Sequence, residues 1–227
     1  MPLSIVATPI GNLEDISARA LRTLREADII LCEDTRVTKK LLSRYDIHAA
    51  TMSYHANSRE AKSDRILAML AEGKNLALVS DSGMPCISDP GVQLVSKARE
   101  RFGDEVMISV IPGPSALIAA LALSGLPASD FLFLGFLPRK KGRKTLFEET
   151  AGSKRTVAFY ESPYRVMKTL EEMRSHLEPE RKIAIARELT KIHEEFLSGT
   201  VDEILEKLRV YPEKQRGEFV ILVEGRK

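Results

Sequence analysis

Residues 76–91 read LALVSDSGMPCISDPG. Leu76–Val79 is a short, wholly apolar run, the pattern of a strand buried on both faces of a parallel sheet. It breaks into a loop of hydroxyls, carboxylates, Gly and Pro. Asp89-Pro90 then suits an N-cap and first helical residue ahead of a helix over 92–101. The same unit recurs on either side. Leu3–Ala7, Asp28–Cys32 and Val106–Ile111 are further buried strands. Helical spacing marks 16–26, 36–44 and 59–72, with Gly73 placed to stop the last of these. Strand–helix alternation of this kind predicts a mostly parallel sheet with helices on both faces.

Beyond a helix over 115–124, Gly125-Leu126-Pro127 marks a hinge. The remainder carries strands at 131–136, 156–160, 182–186 and 218–224 and helices at 164–176 and 201–209, enough for a second, mixed sheet. The expected organisation is two α/β domains, 1–126 and 127–227. With 44% hydrophobic and 29% charged residues the chain builds a core and is not disordered. A net charge of +2 excludes a polycation, so nucleic-acid contact would need local patches. Cys32 and Cys86 lie far apart, and with four scattered histidines they form no metal-ligand spacing, so no metal is expected. The longest apolar stretch, 116–123, falls short of the ~20 residues of a membrane-spanning helix. The start, MPLSIVATPI, lacks the basic segment of a secretory signal, so a cytoplasmic protein is expected.

Ligands of open parallel sheets bind beyond the carboxyl ends of the strands. There the sequence places Thr8-Pro9-Ile10-Gly11-Asn12, Glu33-Asp34-Thr35-Arg36, the loop 80–91 and Pro112-Gly113-Pro114-Ser115. Neither G-x-x-x-x-G-K-[ST] nor G-x-G-x-x-G is present, so these are not phosphate cradles for nucleoside triphosphates or dinucleotides. Their carboxylates, hydroxyls and exposed backbone suit a ligand with ribose hydroxyls, an ammonium group and a sulfonium. Simple turns and helix caps account equally well for each loop alone, and for Asp89 capping is favoured. In the second half Arg139, Lys140, Lys141, Arg143 and Lys144 form a cationic loop able to hold a phosphodiester backbone, or simply to be solvated. FYESPYR at 159–165 and RELTK at 187–191 gather aromatics, acids and bases at strand ends, as an unpaired stretch of RNA would need. An Arg187–Glu161 or Arg165–Glu188 ion pair explains the same charges.

VATPIGNL at 6–13, EDTR at 33–36, SDSGMPCISDPG at 80–91 and IPGPSA at 111–116 resemble one family in order. FLGFLPRK at 133–140, FYESPYR at 159–165, ARELTK at 186–191 and RGEFVILVEG at 216–225 extend the match over essentially the whole chain. The chain resembles the ribosomal RNA small subunit methyltransferase I family of the tetrapyrrole methylase superfamily. The resemblance implies two α/β domains with S-adenosylmethionine in a cleft between them, a homodimer, and 2′-O-methylation of a cytidine in the decoding region of small-subunit (16S) ribosomal RNA. Carried over, cofactor contacts fall at Thr8, Pro9, Asp81, Ser82, Gly83, Met84, Ser115 and Ala116, with Leu189, Gly217 and the region of Glu161 from the second domain. Arg36, Arg165, Arg187 and Lys191 would face the RNA. The sequence departs from the family pattern at Ser82, Met84, Cys86 and Tyr164, the last where histidine is usual. It ends soon after the last strand, where many relatives continue with a small helical extension.

Methyl transfer gains chiefly from in-line positioning, and a ribose hydroxyl is a weak nucleophile that a base assists. On that basis Glu161 or Lys191 is expected to take or ease the proton, with Arg165 and Arg187 on flanking phosphates. Two rival readings share the cofactor half: a small-molecule methyltransferase acting on a tetrapyrrole-like acceptor, and a non-catalytic cofactor-binding module. The basic loop favours RNA, because a compact macrocycle prefers an apolar pocket.

Overall fold

The computed structural model describes residues 1–55, 60–89 and 91–226. The expected helix starts at Arg59 and Pro90, and the last residue, Lys227, lie outside the described residues. The chain divides into two compact units, Met1–Ser115 and Ala116–Lys227.

The first unit runs β1 (Pro2–Val6), α1 (Ala18–Glu26), β2 (Ile29–Cys32), α2 (Thr35–Arg44), β3 (Ala50–Ser53), α3 (Glu60–Ala71), β4 (Leu76–Leu78), α4 (Gly91–Phe102) and β5 (Met107–Ile111). Its strands form one sheet in the order β3-β2-β4-β1-β5, all pairs parallel. Alternation along the strands feeds two cores. Leu3, Ile5, Leu31, Leu76 and Leu78 pack with Ile66 and Leu70 of α3 and Leu94 and Ala98 of α4. Val6, Ile30, Cys32 and Ala77 face the other way, against Ala20 and Leu24 of α1 and Leu41 and Leu42 of α2. Both faces of the sheet are therefore covered by helices, which is why its central strands carry no polar alternation. Two N-caps set the helix starts: Ser17 accepts from Ala20 N–H and Asp34 from Arg36 N–H. The parallel sheet and its helices are those expected. β3 was not expected; it is an edge strand without an apolar run.

The second unit runs α5 (Ala116–Ser124), β6 (Phe131–Phe136), α6 (Arg143–Gly152), β7 (Thr156–Glu161), α7 (Val166–Arg174), β8 (Lys182–Arg187), β9 (Glu195–Thr200), α8 (Val201–Val210) and β10 (Phe219–Val223). The sheet order is β6-β7-β10-β8-β9; β6–β7 is parallel and the remaining pairs antiparallel, giving the mixed sheet expected. Large residues alternate to one face: Val157, Phe159, Ile183, Ile185, Phe219 and Ile221 pack with Leu170 and Met173 of α7 and Ile204 and Leu208 of α8. The alternate positions include Ala158, Ala184 and Ala186, whose small side chains leave room for α5 on β10 and β8. The helix over 116–124 thus packs into the second unit, ahead of the 126/127 boundary read from the hinge residues.

Candidate active site

With every pair in the first sheet parallel, the carboxyl ends of β2, β4, β1 and β5 share one edge, and their loops meet there. Two of these loops are stitched together. Thr8 N–H donates to the Gly83 carbonyl at 2.9 Å and Gly83 N–H to the Thr8 carbonyl at 3.2 Å. The Thr8 hydroxyl donates to the Ser80 carbonyl at 3.2 Å, and Ser80 Oγ to the Gly83 carbonyl at 3.1 Å. Gly83 has φ +81°, and a Cβ there would lie 3.1 Å from Ile10 Cγ2 and 3.4 Å from the Pro114 carbonyl. The polar groups of Thr8 and Gly83 are therefore spent on each other. They shape the edge, whereas Asp81 and Ser82 beside them are exposed.

Asp81 accepts from Asp34 N–H at 3.0 Å, joining the β2 and β4 loops. The Asp34 carboxylate caps α2 and grips Arg36, whose side-chain and backbone hydrogen bonds pull its pKa down to about 2. Burial pushes the neighbouring Glu33 carboxyl up, and Asp89 and Asp81 add to the shift. Asp89 accepts from Gly91 N–H at 2.9 Å at the start of α4, the capping role favoured for it. Among the described residues no group of three His, Cys, Asp or Glu is arranged to hold a metal ion. Pro9 is buried, and Met84 and Ser115 are half-buried along the same edge; Ala116, also half-buried, opens α5 of the second unit.

The second unit also gathers its chemistry at one edge. In the register of its sheet, Phe219 faces both Glu161 and Arg187, and Arg187 faces Glu195. The segments 137–142, 162–165, 188–194 and 216–218 therefore lie side by side. Here the structure corrects several expectations. Glu161, expected as a base, is 1% exposed and fully engaged: Ser162 N–H donates to it at 2.7 Å, the Thr169 hydroxyl at 2.6 Å and Arg165 at 2.8 Å. Lys191, the other expected base, donates to Glu188 and Glu218, each at 2.9 Å. Burial works against its charge, but the hydrogen bonds to Glu218 and Glu188 outweigh it and hold the ammonium above the ordinary lysine range. A lysine held protonated between two carboxylates is no base.

Arg187, expected on a phosphate, is 8% exposed and donates to the carbonyls of Arg216, His193 and Glu213, with Glu195 at 3.7 Å. Arg143, expected in the RNA-facing loop, is also 8% exposed, because α6 begins at that residue and turns its side chain inward to Glu172 and Thr169. The ion pairs formed are Arg165–Glu161 and Arg187–Glu195, rather than Arg187–Glu161 or Arg165–Glu188. Arg139, Lys140, Lys141 and Lys144 remain exposed, as does Arg36 in the first unit. Tyr164 is 95% exposed and Ile192 98% exposed, at the tips of neighbouring loops. Leu189 is buried beneath its loop, and at Gly217 (φ +103°) a Cβ would lie 2.5 Å from Glu188 Cγ. Sequence reading missed Thr169, although Arg165, Thr169 and Glu172 are spaced to share one helix face.

The two sheets and their loop-bearing strand ends define an α/β class of protein, and the family model "Tetrapyrrole (Corrin/Porphyrin) Methylases" matches residues 2–205. The chain is 50% identical over 224 residues to "Ribosomal RNA small subunit methyltransferase I" of Halalkalibacterium halodurans, covering 98% of this chain and 75% of that one. It is 45% identical to the protein of the same name from Thermotoga maritima, covering 99% and 98%. Among solved structures, the cobalamin biosynthetic enzyme cobalt precorrin-4 methyltransferase aligns with a TM-score of 0.71 at 19% identity, over 98% of this chain and 94% of that one. Uroporphyrin-III-C-methyltransferase from Thermus thermophilus aligns at 0.64 and 20%, over 98% and 94%. The chain belongs to the tetrapyrrole methylase family and, within it, to the ribosomal RNA small subunit methyltransferase I group.

Proposed function

We propose that this chain is an S-adenosylmethionine-dependent methyltransferase that acts on the ribose 2′-hydroxyl of a cytidine in small-subunit (16S) ribosomal RNA. Membership of the family supports the reaction class. The observation that carries the acceptor is the exposed cation set Arg139, Lys140, Lys141 and Lys144, on the same edge as the fully exposed Tyr164. Cations meet phosphates and an aromatic face meets an unstacked base, which a tetrapyrrole acceptor would not require.

The first unit's edge fits the cofactor by the chemistry of its donor set. Asp81 and Ser82 present a carboxylate and a hydroxyl suited to ribose hydroxyls or an ammonium group, with Met84 and Ser115 on the same edge and Ala116 as a further contact. When bound, the cofactor supplies a methyl group activated on a positive sulfur. The chain's own part is positioning. The Thr8–Gly83 stitch fixes the first unit's edge, Arg36 in the first unit and the loop cations in the second each offer charge to phosphates, and Arg165 adds a further phosphate contact that serves RNA binding. Leu189 and Gly217 would contribute to cofactor binding from the second unit's edge. With Glu161 and Lys191 unsuited as bases, orientation is the main source of rate, for which well-aligned groups gain roughly 7–11 kcal/mol.

We propose a homodimer as the working form and the cytoplasm as its place, as the family resemblance implies. Among the described residues no helix is long and apolar enough to cross a membrane. Sedimentation should give twice the monomer mass. Replacing Arg139, Lys140, Lys141 and Lys144 together by Gln should leave the melting temperature unchanged and abolish methyl transfer to small ribosomal subunits. Undiminished transfer would contradict the assignment and favour a small-molecule acceptor.

A further inference from the structure

Glu161 closes β7 with its carboxylate inside the protein, and it receives more than the single arginine a surface pair would bring. Its Oε1 accepts from Ser162 N–H at 2.7 Å and lies 2.8 Å from Arg165 Nη2. Its Oε2 accepts from the Thr169 hydroxyl at 2.6 Å and lies 4.0 Å from Arg143 Nη1. Arg143 in turn donates to Thr169 Oγ1 at 2.7 Å and to Glu172 at 2.5 Å, and stacks 5.0 Å above the Phe147 ring. Two guanidiniums and two carboxylates balance, so the buried charge is compensated.

The far ends of this network matter for RNA. Arg165 Nη1 donates to the Leu137 carbonyl at 2.9 Å, and Arg143 Nη1 to the Pro138 carbonyl at 3.3 Å. Leu137 and Pro138 enter the basic loop and Arg143 leaves it. Both ends of the segment bearing Arg139, Lys140 and Lys141 are thus tied to one buried carboxylate. Arg165 itself is part-exposed.

We infer that Glu161 is a positioning residue for RNA uptake: it holds Arg165 directly and, through Thr169 and Arg143, both ends of the basic loop, so that these cations meet the phosphate backbone already ordered. This rests on the RNA reading above. The physical gain is a smaller loss of side-chain and loop freedom on binding. The role differs from general-base chemistry, which acts on turnover at saturation and leaves affinity alone.

The experiment compares wild type, Glu161→Gln, Thr169→Val, Arg165→Lys and the Glu161→Gln/Arg165→Lys double variant. Each is checked for folding by thermal melting. Methyl transfer is then followed on an unmethylated small-subunit RNA substrate, with cofactor affinity measured separately. Glu161→Gln and Arg165→Lys should each raise KM for RNA about tenfold, the scale of one lost charged hydrogen bond. At saturating RNA, kcat and its pH profile should stay within about twofold of wild type, a change too small to count as lost transition-state stabilisation. Cofactor affinity should not move. The double variant should be no worse than the poorer single one, since both break the same link. Thr169→Val, which removes only the relay hydroxyl, should raise KM less, and with Arg165→Lys it decides the matter if Glu161→Gln does not fold. Unchanged KM in folded Arg165→Lys and Thr169→Val, additive losses in the double variant, or a collapse of kcat with KM unchanged would each overturn the inference. Wild type that transfers no methyl to RNA overturns the functional reading, and this one with it.

Discussion

Gly83 lies at φ +81° with the β1 and β5 loops packed against the place a side chain would occupy. Left-handed backbone costs an L-residue about 1–2 kcal/mol. Gly83→Ala should therefore lose about that much stability by denaturant titration, and cofactor affinity by calorimetry should fall with it as Asp81 and Ser82 are displaced. Lys191 gives a pH prediction. Its folded pKa is raised above its ordinary 10.5, so its contribution to stability is complete below that value and is lost as pH climbs through the higher folded one. Its partner Glu188 has a lowered pKa: burial opposes this, but Glu218 N–H and Lys191 prevail. That contribution is present above the ordinary 4.5 and disappears as pH falls through the lower folded value. The melting-temperature gap between wild type and Lys191→Met should be flat between these limits and shrink at both extremes. A gap that varies across neutral pH would count against the pairing.

At the scale of elements, α8 starts with a capping box, Thr200 accepting from Glu203 N–H while Glu203 accepts from Thr200 N–H. Thr200→Ala should cost about 1 kcal/mol by denaturant titration. Arg181 is a larger knot. Buried before β8, it donates to the carbonyls of Glu224, Ser153 and Ala151 and pairs with Glu178 at 3.0 Å, tying the end of β10 to the end of α6. Arg181→Met should destabilise by about 2 kcal/mol, because the carbonyls of Glu224, Ser153 and Ala151 lose their shared donor. These elements also show what was legible. The central strands and most helices were readable because burial on both faces writes itself as apolar runs and 3.6-residue spacing. β3, with the sequence ATMS, and β9, with Gly199 in EFLSGT, were not; each is an edge strand with one partner, so neither needs an apolar run. The basic segment 139–144 was legible as a cluster of charge. That α6 starts at Arg143, and so buries one of its cations, was not, because Gly142 in the N-cap position (φ +82°) gives no capping side chain to mark the start.

Over the whole molecule, separate cores support the two units, one pair in Met1–Ser115 and another core in Ala116–Lys227. Loop-bearing strand ends lie at a single edge in each. Sequence motifs put Thr8, Asp81, Ser82, Glu161 and Lys191 at these edges. They did not separate residues that face a ligand from those that hold the loop, because an Arg or Glu in a motif looks the same whether it ends in solvent or in a buried network. The central claim is that this chain moves a methyl group onto small-subunit ribosomal RNA. Its most direct test is incubation with labelled S-adenosylmethionine and small ribosomal subunits lacking the modification, followed by mapping of the labelled nucleotide. Label on the 2′-oxygen of a single cytidine is the predicted result. Label absent from RNA, or carried on a base, would contradict it.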